Sequence, residues 1–208
     1  VTLFCLTPSM DRLKVPALLL ILACAGCDRS PDIQPRGAIS VLDDLGRTVV
    51  LPKAPARIVS LAPSITETLF ALGLDSSIVG VTEFCDFPER ARSKQQIGGI
   101  MNPNIERIVA LNPDLVIMSV SGNARSDFDK LVELKTTVFV TNPKSVEGIF
   151  KSIVDLGIVT GTQGEAEILV RQLQAKRDSL VASARAKPKL RVLLFLSLSP
   201  VIAAGPGS

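Results

Sequence analysis

Residues 102–119 of the chain, NPNIERIVALNPDLVIMS, join a helix start to a buried strand. The helix has two candidate caps: Asn104, or Asn102 with Pro103 at the first helical position. The apolar run LVIM is typical of a strand covered on both faces. Glu106 lies in the first turn under either cap, where a carboxylate gains about 0.3–1 kcal/mol from the helix dipole. The stretch therefore predicts a helix–strand unit of a parallel sheet. It leaves open whether Glu106 also contacts another molecule.

The same alternation of strands and helices continues on both sides of this stretch. The predicted strands are RIVSL (57–61), SIVGVTE (77–83), DLVIMS (114–119) and TTVFVT (136–141), and the further helices are SITETLFALG (64–73) and RSDFDKLVEL (125–134). Upstream, the turn DDLG (43–46) between two β-rich runs indicates a hairpin. Continuous apolar strands between amphipathic helices indicate an α/β fold with a Rossmann-like parallel sheet. We assign residues 39–160 to this N-terminal lobe.

Two helices without an intervening strand follow the fourth sheet strand, at residues 145–159 and 163–186. The second has one apolar face at helical spacing, formed by Ile168, Leu169, Leu173, Leu180 and Val181. Its 24 residues would be about 36 Å long, enough to connect two lobes, so residues 161–187 are predicted to be a rigid linking helix. The apolar run LRVLLFLSL then begins a buried strand. Residues 188–208 are therefore expected to start a second α/β lobe, with the chain ending before that lobe is complete.

The N-terminal residues have the composition of an export signal. Met10 is the expected start, and a short charged stretch and an apolar run too short to span a membrane follow it. Residues 1–26 are predicted to be a signal peptide, and the Pro-rich residues 27–38 a flexible tether. The ending CAGC resembles the bacterial lipobox, which makes Cys27 the expected lipid attachment site and Cys24 a second candidate. An ordinary cleaved signal and a buried apolar segment are the alternatives.

The composition excludes several function classes. The chain has 208 residues, a net charge of +3, 8 Phe, and no His, Tyr or Trp. Without His it lacks the commonest general base and metal ligand, so neither catalytic residues nor a metal site are predicted. Lys and Arg are scattered, which gives no nucleic-acid footprint. There is also no Gly-x-Gly-x-x-Gly loop for a nucleotide.

Loops at the carboxyl ends of the strands are the expected ligand sites of an open α/β sheet. In LAPSITE (61–67), Ser64 and Glu67 form a predicted capping box, and Ser64 is also a candidate ligand contact. In EFCDFPERA (83–91), we expect Phe84 to be exposed as an apolar platform and Phe87 to be structural. Cys85 is expected to be a small, half-buried hydrophobic residue. The loop SVSGN (119–123) should line the same rim.

Taken together, these residues resemble the substrate-binding proteins of ABC importers for cobalamin, haem and iron siderophores, and most of all the cobalamin-binding members. The matching stretches are DDLGRTVVLPKAPARIVSLAPSITETLFALG, IVGVTEFCDFPERA, IGGIMNPNIERIVALNPDLVI and SGNARSDFDKLVEL, and the resemblance covers about residues 39–208. Phe84 stands where the cobalamin receptors stack a Tyr on the corrin. Ile100 and Ser119 stand where well-known members carry Trp. For haem, this portion of sequence offers neither His nor Tyr as an axial iron ligand.

The resemblance implies a two-lobed receptor that captures a corrinoid and delivers it to an inner-membrane permease. The expected protein is a monomeric, periplasmic or lipid-anchored carrier without a cofactor. Glu106 is implied to dock into an arginine pocket of the permease. The implied ligand-binding residues are Pro63, Ser64, Phe84, Ile100, Met101, Ser119 and Asn123. A haem or siderophore receptor, a fragment of a secreted α/β enzyme and a structural lipoprotein without a ligand are the alternatives.

Overall fold

The computed structural model describes residues 37–185, 187–188, 193–198 and 200–203. The predicted signal peptide, Cys24 and Cys27 and most of the tether lie outside the described residues. The strands are β1 (Ile39–Leu42), β2 (Thr48–Leu51), β3 (Ile58–Ser60), β4 (Ile78–Val81), β5 (Gln95–Gln96), β6 (Leu115–Ser119), β7 (Val138–Thr141), β8 (Phe195–Leu198) and β9 (Val201–Ala203). The α-helices are α1 (Pro63–Ala71), α2 (Ile105–Ala110), α3 (Arg125–Glu133), α4 (Val146–Thr160) and α5 (Gln163–Arg185).

The central element is a five-stranded parallel sheet with the order β5-β4-β3-β6-β7. The chain runs outward from β3 through β4 to β5, then crosses to β6 on the other side of β3 and continues to β7. This order places a topological switch point between β3 and β6, where open α/β sheets form a crevice beyond the carboxyl ends of their strands. The predicted α/β fold is confirmed. The edge strand β5 escaped prediction because it consists of two glutamines without a hydrophobic pattern.

The sheet is covered on both faces, as its continuous apolar strands predict. On one face, Ile117 and Phe139 pack in a core cluster with residues of α1, α4 and α5. On the other face, Val116 and Val140 pack with residues of α2 and α3. The hairpin β1–β2 is antiparallel, as predicted, and it joins the first of these clusters through Val41. Two helical layers therefore hold the strand ends that carry the candidate site.

The start of α1 differs from the predicted capping box. Ala62 is the N-cap residue and makes no side-chain capping bond, and Pro63 opens the helix. Ser64 therefore lies inside the first turn, where its carbonyl accepts a bond of 2.8 Å from the Thr68 hydroxyl. The physical reason is that proline is pre-organised for the first helical position, so the helix begins two residues earlier than a cap at Ser64 would place it.

The long helix α5 packs against α4, although not along the whole predicted apolar face. Gly161 ends α4 in the left-handed conformation, with φ of 77°. The buried residues of α5 are Ala166 and Val170, with Leu169 and Leu173 partly buried beside them. The remaining members of the predicted face are exposed, namely Ile168, Leu180 and Val181. Only the first part of α5 therefore contributes to the described core.

The last described strands form an antiparallel pair, β8–β9. The predicted strand of residues 190–198 is observed at Phe195–Leu198. Phe195 is 48% exposed, and Leu193 and Leu194 just before it are exposed as well. The expectation of a buried strand is therefore wrong for these three side chains in the structure.

Candidate functional site

Asn123 ties together the loops at the carboxyl ends of β3 and β6. Its side-chain amide donates to the carbonyls of Leu61, at 3.0 Å, and Ile100, at 2.9 Å. Its side-chain oxygen accepts from the Ser119 backbone N–H at 2.8 Å. All of the amide's described bonds therefore go to the protein backbone. Asn123 positions the rim, and its predicted role as a direct ligand contact remains a prediction.

Next to the loops that Asn123 connects lies an apolar groove of about 460 Å³, which we call the rim groove. It is lined by Glu83, Phe84, Ile100, Met101, Asn102 and Gly122. Phe84 is 56% exposed and Met101 is 72% exposed. Large apolar side chains held at the surface of a concave site provide contact area for a ligand. The structure thus brings together three of the predicted ligand residues: Phe84, Ile100 and Met101.

Gly122 packs closely against Ile100 at the rim groove. A Cβ atom at this position would lie 2.9 Å from Cγ2 of Ile100, closer than side chains tolerate. Asn123 holds the Ile100 carbonyl from the same loop. The two loops are therefore fitted against each other, and Ile100 is fixed in the lining.

A buried cysteine supports the loop that carries Phe84. The Cys85 thiol is 3% exposed and lies 3.2 Å from the Thr66 hydroxyl and 3.1 Å from the Thr82 hydroxyl. It is a small buried residue, more completely buried than the half-buried position expected. Phe87, which we expected to be structural, is instead 65% exposed. That expectation is wrong because Cys85 is the side chain of this loop that points into the core, and Phe84 and Phe87 both stay at the surface.

The remaining predicted ligand residues do not line the rim groove. Ser64 lines a separate cavity of about 290 Å³ between α1 and α4. Ser119 and Asn123 line another cavity, of about 320 Å³, whose apolar wall includes Phe128. Pro63 is half-buried at the start of α1. The predicted set is thus divided among several concavities.

Glu106 lies at the exposed start of α2, as predicted. Asn104 is the cap, and its side-chain oxygen accepts from the Arg107 N–H at 2.8 Å, which decides between the two candidate caps. Glu106 lines a polar pocket of about 360 Å³, which we call the docking face. The docking face consists of Pro103, Ile105, Glu106, Asp127, Lys130, Glu133 and Leu134. Asp127 is buried there, and its Oδ2 atom has no hydrogen-bond partner.

Basic residues of the segment that follows Phe84 are engaged by carboxylates outside the rim groove. Lys94 and Arg90 both pair with Asp75, each at 2.7 Å. The hydrogen bond from Lys94 is the main cause that lowers the pKa of Asp75 below its ordinary value, and the positive charges of Lys94 and Arg90 act in the same direction. Arg92 lies 3.6 Å from Asp86. The lining of the rim groove itself contains one charged side chain, Glu83.

Asn102 and Glu83 line the rim groove, although neither was predicted from the sequence as a ligand contact. Glu83 directly precedes Phe84 in the same loop. Its position next to the predicted aromatic platform was the sequence feature that could have identified it. Within the described ranges, no group of three or more His, Cys, Asp or Glu side chains is arranged to hold a metal ion. No helix among the described residues has the length and apolar character needed to cross a bilayer.

Comparisons with known proteins give one consistent family. The chain is 30% identical over 196 residues to an uncharacterised ABC transporter substrate-binding lipoprotein, YvrC, of Bacillus subtilis strain 168. The alignment covers 88% of this chain and 62% of the Bacillus protein. The chain thus spans less than two thirds of the length of this relative.

Solved structures of two similar proteins share the fold. One is the periplasmic vitamin B12 binding protein BtuF of Vibrio cholerae, with a TM-score of 0.66, 28% identity, and coverage of 72% of this chain and 58% of that one. The other is the periplasmic haem-binding protein RhuT from Roseiflexus sp. RS-1, with a TM-score of 0.63, 28% identity, and coverage of 67% and 54%. The sequence profile described as "Periplasmic binding protein" matches residues 58–208, and the chain belongs to this family.

Proposed function

We propose that the protein is the substrate-binding component of an ABC importer and that its ligand is a corrinoid. The observation that carries the proposal is the rim groove, in which Phe84, Ile100 and Met101 present apolar surface at the carboxyl edge of the sheet. A corrin is a broad, largely apolar macrocycle, and burial of apolar area stabilises such a complex by about 25 cal/mol per Å². No covalent chemistry and no cofactor are needed. The corrinoid is the cargo.

The docking face supplies the proposed contact with the permease. Glu106 is exposed at a helix start, where its carboxylate is free to meet a cationic side chain of a membrane partner. The same position stabilises α2, and the two roles are compatible. In this proposal the carrier is a monomer that holds its ligand between two lobes and presents Glu106 to the permease.

A haem or siderophore receptor is the second candidate, supported by the similarity to a haem-binding protein of the same fold. The chain contains no His and no Tyr, so its own residues offer haem iron neither an imidazole nor a phenolate. We therefore place the corrinoid first. The similarity to periplasmic binding proteins favours a non-enzymatic protein over an enzyme.

The test of the proposed function is a calorimetric titration of cobalamin into the intact mature protein. We expect one-to-one binding with a negative heat-capacity change, since apolar surface is buried. An absence of binding to cobalamin, with binding to haem or to a ferric siderophore, would assign the protein to the second candidate.

The envelope location is proposed from the N-terminal sequence, and the name of the Bacillus relative as a lipoprotein supports it. Cys27→Ser should release the protein from the membrane fraction because the acylated cysteine is removed. The same substitution at Cys24 is the matched control and should leave the protein in that fraction. Retention of the Cys27 variant together with release of the Cys24 variant would move the anchor to Cys24.

A further inference from the structure

The docking face contains a buried carboxylate whose charge has no counterpart in the described part of the chain. Asp127 lines this pocket and is 9% exposed, and its Oδ2 atom has no hydrogen-bond partner. Aspartate is almost never buried to this extent unless it is paired, because an unpaired charge loses its hydration without compensation. Asp127 is therefore placed at a cost to the stability of the free protein.

The start of α3 does not account for this burial. Ala124 is the N-cap residue and makes no side-chain capping bond, and the helix dipole favours a carboxylate in the first turn whether it is buried or exposed. Arg125 pairs with Asp129 at 2.9 Å. Neither Asp127 nor Lys130, which lines the same pocket, takes part in the ion pairs formed by the described residues. Asp127 thus lacks a counterion within those residues.

The pocket as a whole carries an excess of negative charge. Its charged side chains are three carboxylates and one ammonium group, on Glu106, Asp127, Glu133 and Lys130. Asp127 is buried, whereas the other three are exposed. The concavity between α2 and α3 has a volume of about 360 Å³, which exceeds the share of one liquid water, about 30 Å³, by about twelvefold. Charge and shape together fit a cationic side chain that passes the exposed carboxylates and reaches Asp127.

We propose that Asp127 is a second docking residue, which receives the guanidinium group of a permease arginine inside the docking face. This inference rests on the proposed function, and it adds a buried contact to the exposed contact of Glu106. A guanidinium is planar and more weakly hydrated than an ammonium, and its several N–H donors can bond two carboxylates at once. The terminal torsion of an aspartate is broad and roughly two-fold, so rotation of the carboxylate turns an oxygen toward the entering group.

The two carboxylates are expected to act on different steps of docking. An exposed charge mainly accelerates encounter and is screened by salt, whereas a buried charge pair mainly slows dissociation. Glu106→Gln should therefore reduce the association rate at low ionic strength by about threefold or more. Asp127→Asn should raise the dissociation rate by about tenfold or more. Both rates are measured with the intact mature protein on vesicles that contain the permease.

A small probe tests the pocket without the permease. Nα-acetyl-arginine amide and Nα-acetyl-lysine amide are titrated into the intact protein at equal ionic strength, and the backbone NMR shifts of α2 and α3 are followed. We expect saturable shifts with the arginine probe and binding of the lysine probe that is weaker by about threefold or more. Asp127→Asn should weaken the binding of the arginine probe by about tenfold. Asp129→Asn changes an exposed carboxylate of the same helix outside the pocket lining, and this matched control should bind as the wild type does.

Thermal stability distinguishes this role of Asp127 from a structural one. Asp127→Asn removes an unpaired buried charge at nearly constant volume, so the melting temperature should stay the same or rise. A lower melting temperature with unchanged binding of the arginine probe would show that Asp127 serves the fold, and would overturn the proposal. Equal binding of the two amides, equal shifts with calcium chloride, or an absence of shifts in α2 and α3 of the wild-type protein would overturn it as well.

Failure of the proposed function gives a different result. If the permease vesicles do not bind the wild-type protein but the arginine probe binds in a manner that depends on Asp127, the importer role fails and the pocket is assigned to another arginine-bearing partner. If vesicle binding depends on Glu106 while Asp127→Asn keeps the wild-type rates and the wild-type affinity for the arginine probe, the importer role stands. The role of Asp127 in docking is then overturned.

Discussion

The rim groove and the docking face are neighbours along the chain, but they are built from different kinds of side chain. Asn102 lines the groove and Pro103 lines the docking face. The groove is formed by loops and is mostly apolar, with Glu83 as its one charged side chain. The docking face is formed largely by α2 and α3 and carries four charged side chains: Glu106, Asp127, Lys130 and Glu133. Apolar area mainly determines affinity, whereas charge mainly determines orientation and the rate of encounter.

This contrast predicts that the two surfaces can be disabled separately. Loss of apolar atoms from the groove should weaken ligand binding and leave the partner contact intact. Loss of charge from the docking face should do the reverse. The segment between them is fixed to the sheet by a bond of 2.7 Å from the Asn104 N–H to the Ile97 carbonyl. A change on one side is therefore not expected to displace the other.

The largest effect on the protein itself is expected from Asn123→Ala, because this side chain holds the rim of the groove together. The substitution removes three hydrogen bonds to backbone groups of Leu61, Ile100 and Ser119. We expect the free energy of unfolding to fall by about 2–3 kcal/mol, measured by urea denaturation, and the ligand affinity to fall with it. Ser121→Ala, an exposed residue of the same loop, is the control. An equal loss of unfolding free energy in both variants would contradict this role of Asn123.

Phe84→Ala should be the next largest change, and it acts on the ligand rather than on the fold. Removal of the exposed ring should cost about 1.5–3 kcal/mol of binding free energy, or about 10- to 150-fold in Kd. Phe87→Ala is the matched control, since Phe87 is similarly exposed but does not line the groove. Titration calorimetry with cobalamin measures both. A larger loss of ligand affinity in Phe87→Ala than in Phe84→Ala would show that the ligand stacks on Phe87 and not on Phe84.

The fold could be predicted from the sequence because apolar periodicity determines which faces are buried. Each strand of the parallel sheet except β5 was predicted, and β5 could not be, since its residues are both glutamine. The cap of α2 was narrowed to two asparagines, and the geometry selected Asn104. At α1, by contrast, Ser64 was predicted to be the cap, but Pro63 takes the first helical position and Ala62 is the cap. Local signals thus located the elements, and their exact ends depended on competing caps.

The site was less predictable because it depends on how loops face one another. Of the seven predicted ligand residues, Phe84, Ile100 and Met101 line one groove and the other four do not, and the ligand role of all seven stays a prediction. Glu83 was identified only from the lining of the rim groove in the structure. In the same way, Asn123 has the sequence features of a polar ligand contact, but all its described bonds go to backbone groups. A sequence indicates which loop is placed to bind a ligand more readily than it indicates which side chain of that loop is available to contact the ligand.

Glu106→Ala tests the docking side of the comparison. The helix dipole contribution lost from α2 is about 0.3–1 kcal/mol, so only a small decrease in melting temperature is expected. Ligand affinity should be unchanged, while uptake by cells or by permease-containing vesicles should fall strongly. Glu67→Ala, an exposed carboxylate on α1, is the control and should leave uptake unchanged. A clear loss of ligand affinity in the Glu106 variant would show that the two surfaces are not independent.

The smallest effect is expected from Asp75→Asn, which tests charge that acts as scaffold rather than as contact. Asp75 holds Lys94 and Arg90, and its pKa is lowered chiefly by the hydrogen bond from Lys94. A carboxyl group whose pKa is lower in the folded state than in the unfolded state stabilises the protein at pH values above the unfolded pKa, which is 3.8 for Asp75. That stabilisation is lost as the pH falls through the lower, folded value.

The wild type should therefore melt slightly above the Asp75→Asn variant at neutral pH, and the difference should shrink below pH 3.8. Thermal melts of both proteins across this range measure it. Ligand affinity provides a second readout and should be unchanged, because Asp75, Arg90 and Lys94 do not line the rim groove. A changed affinity for cobalamin in this variant would show that these ion pairs influence the groove. Unchanged binding would restrict Asp75 to the stability of its loop.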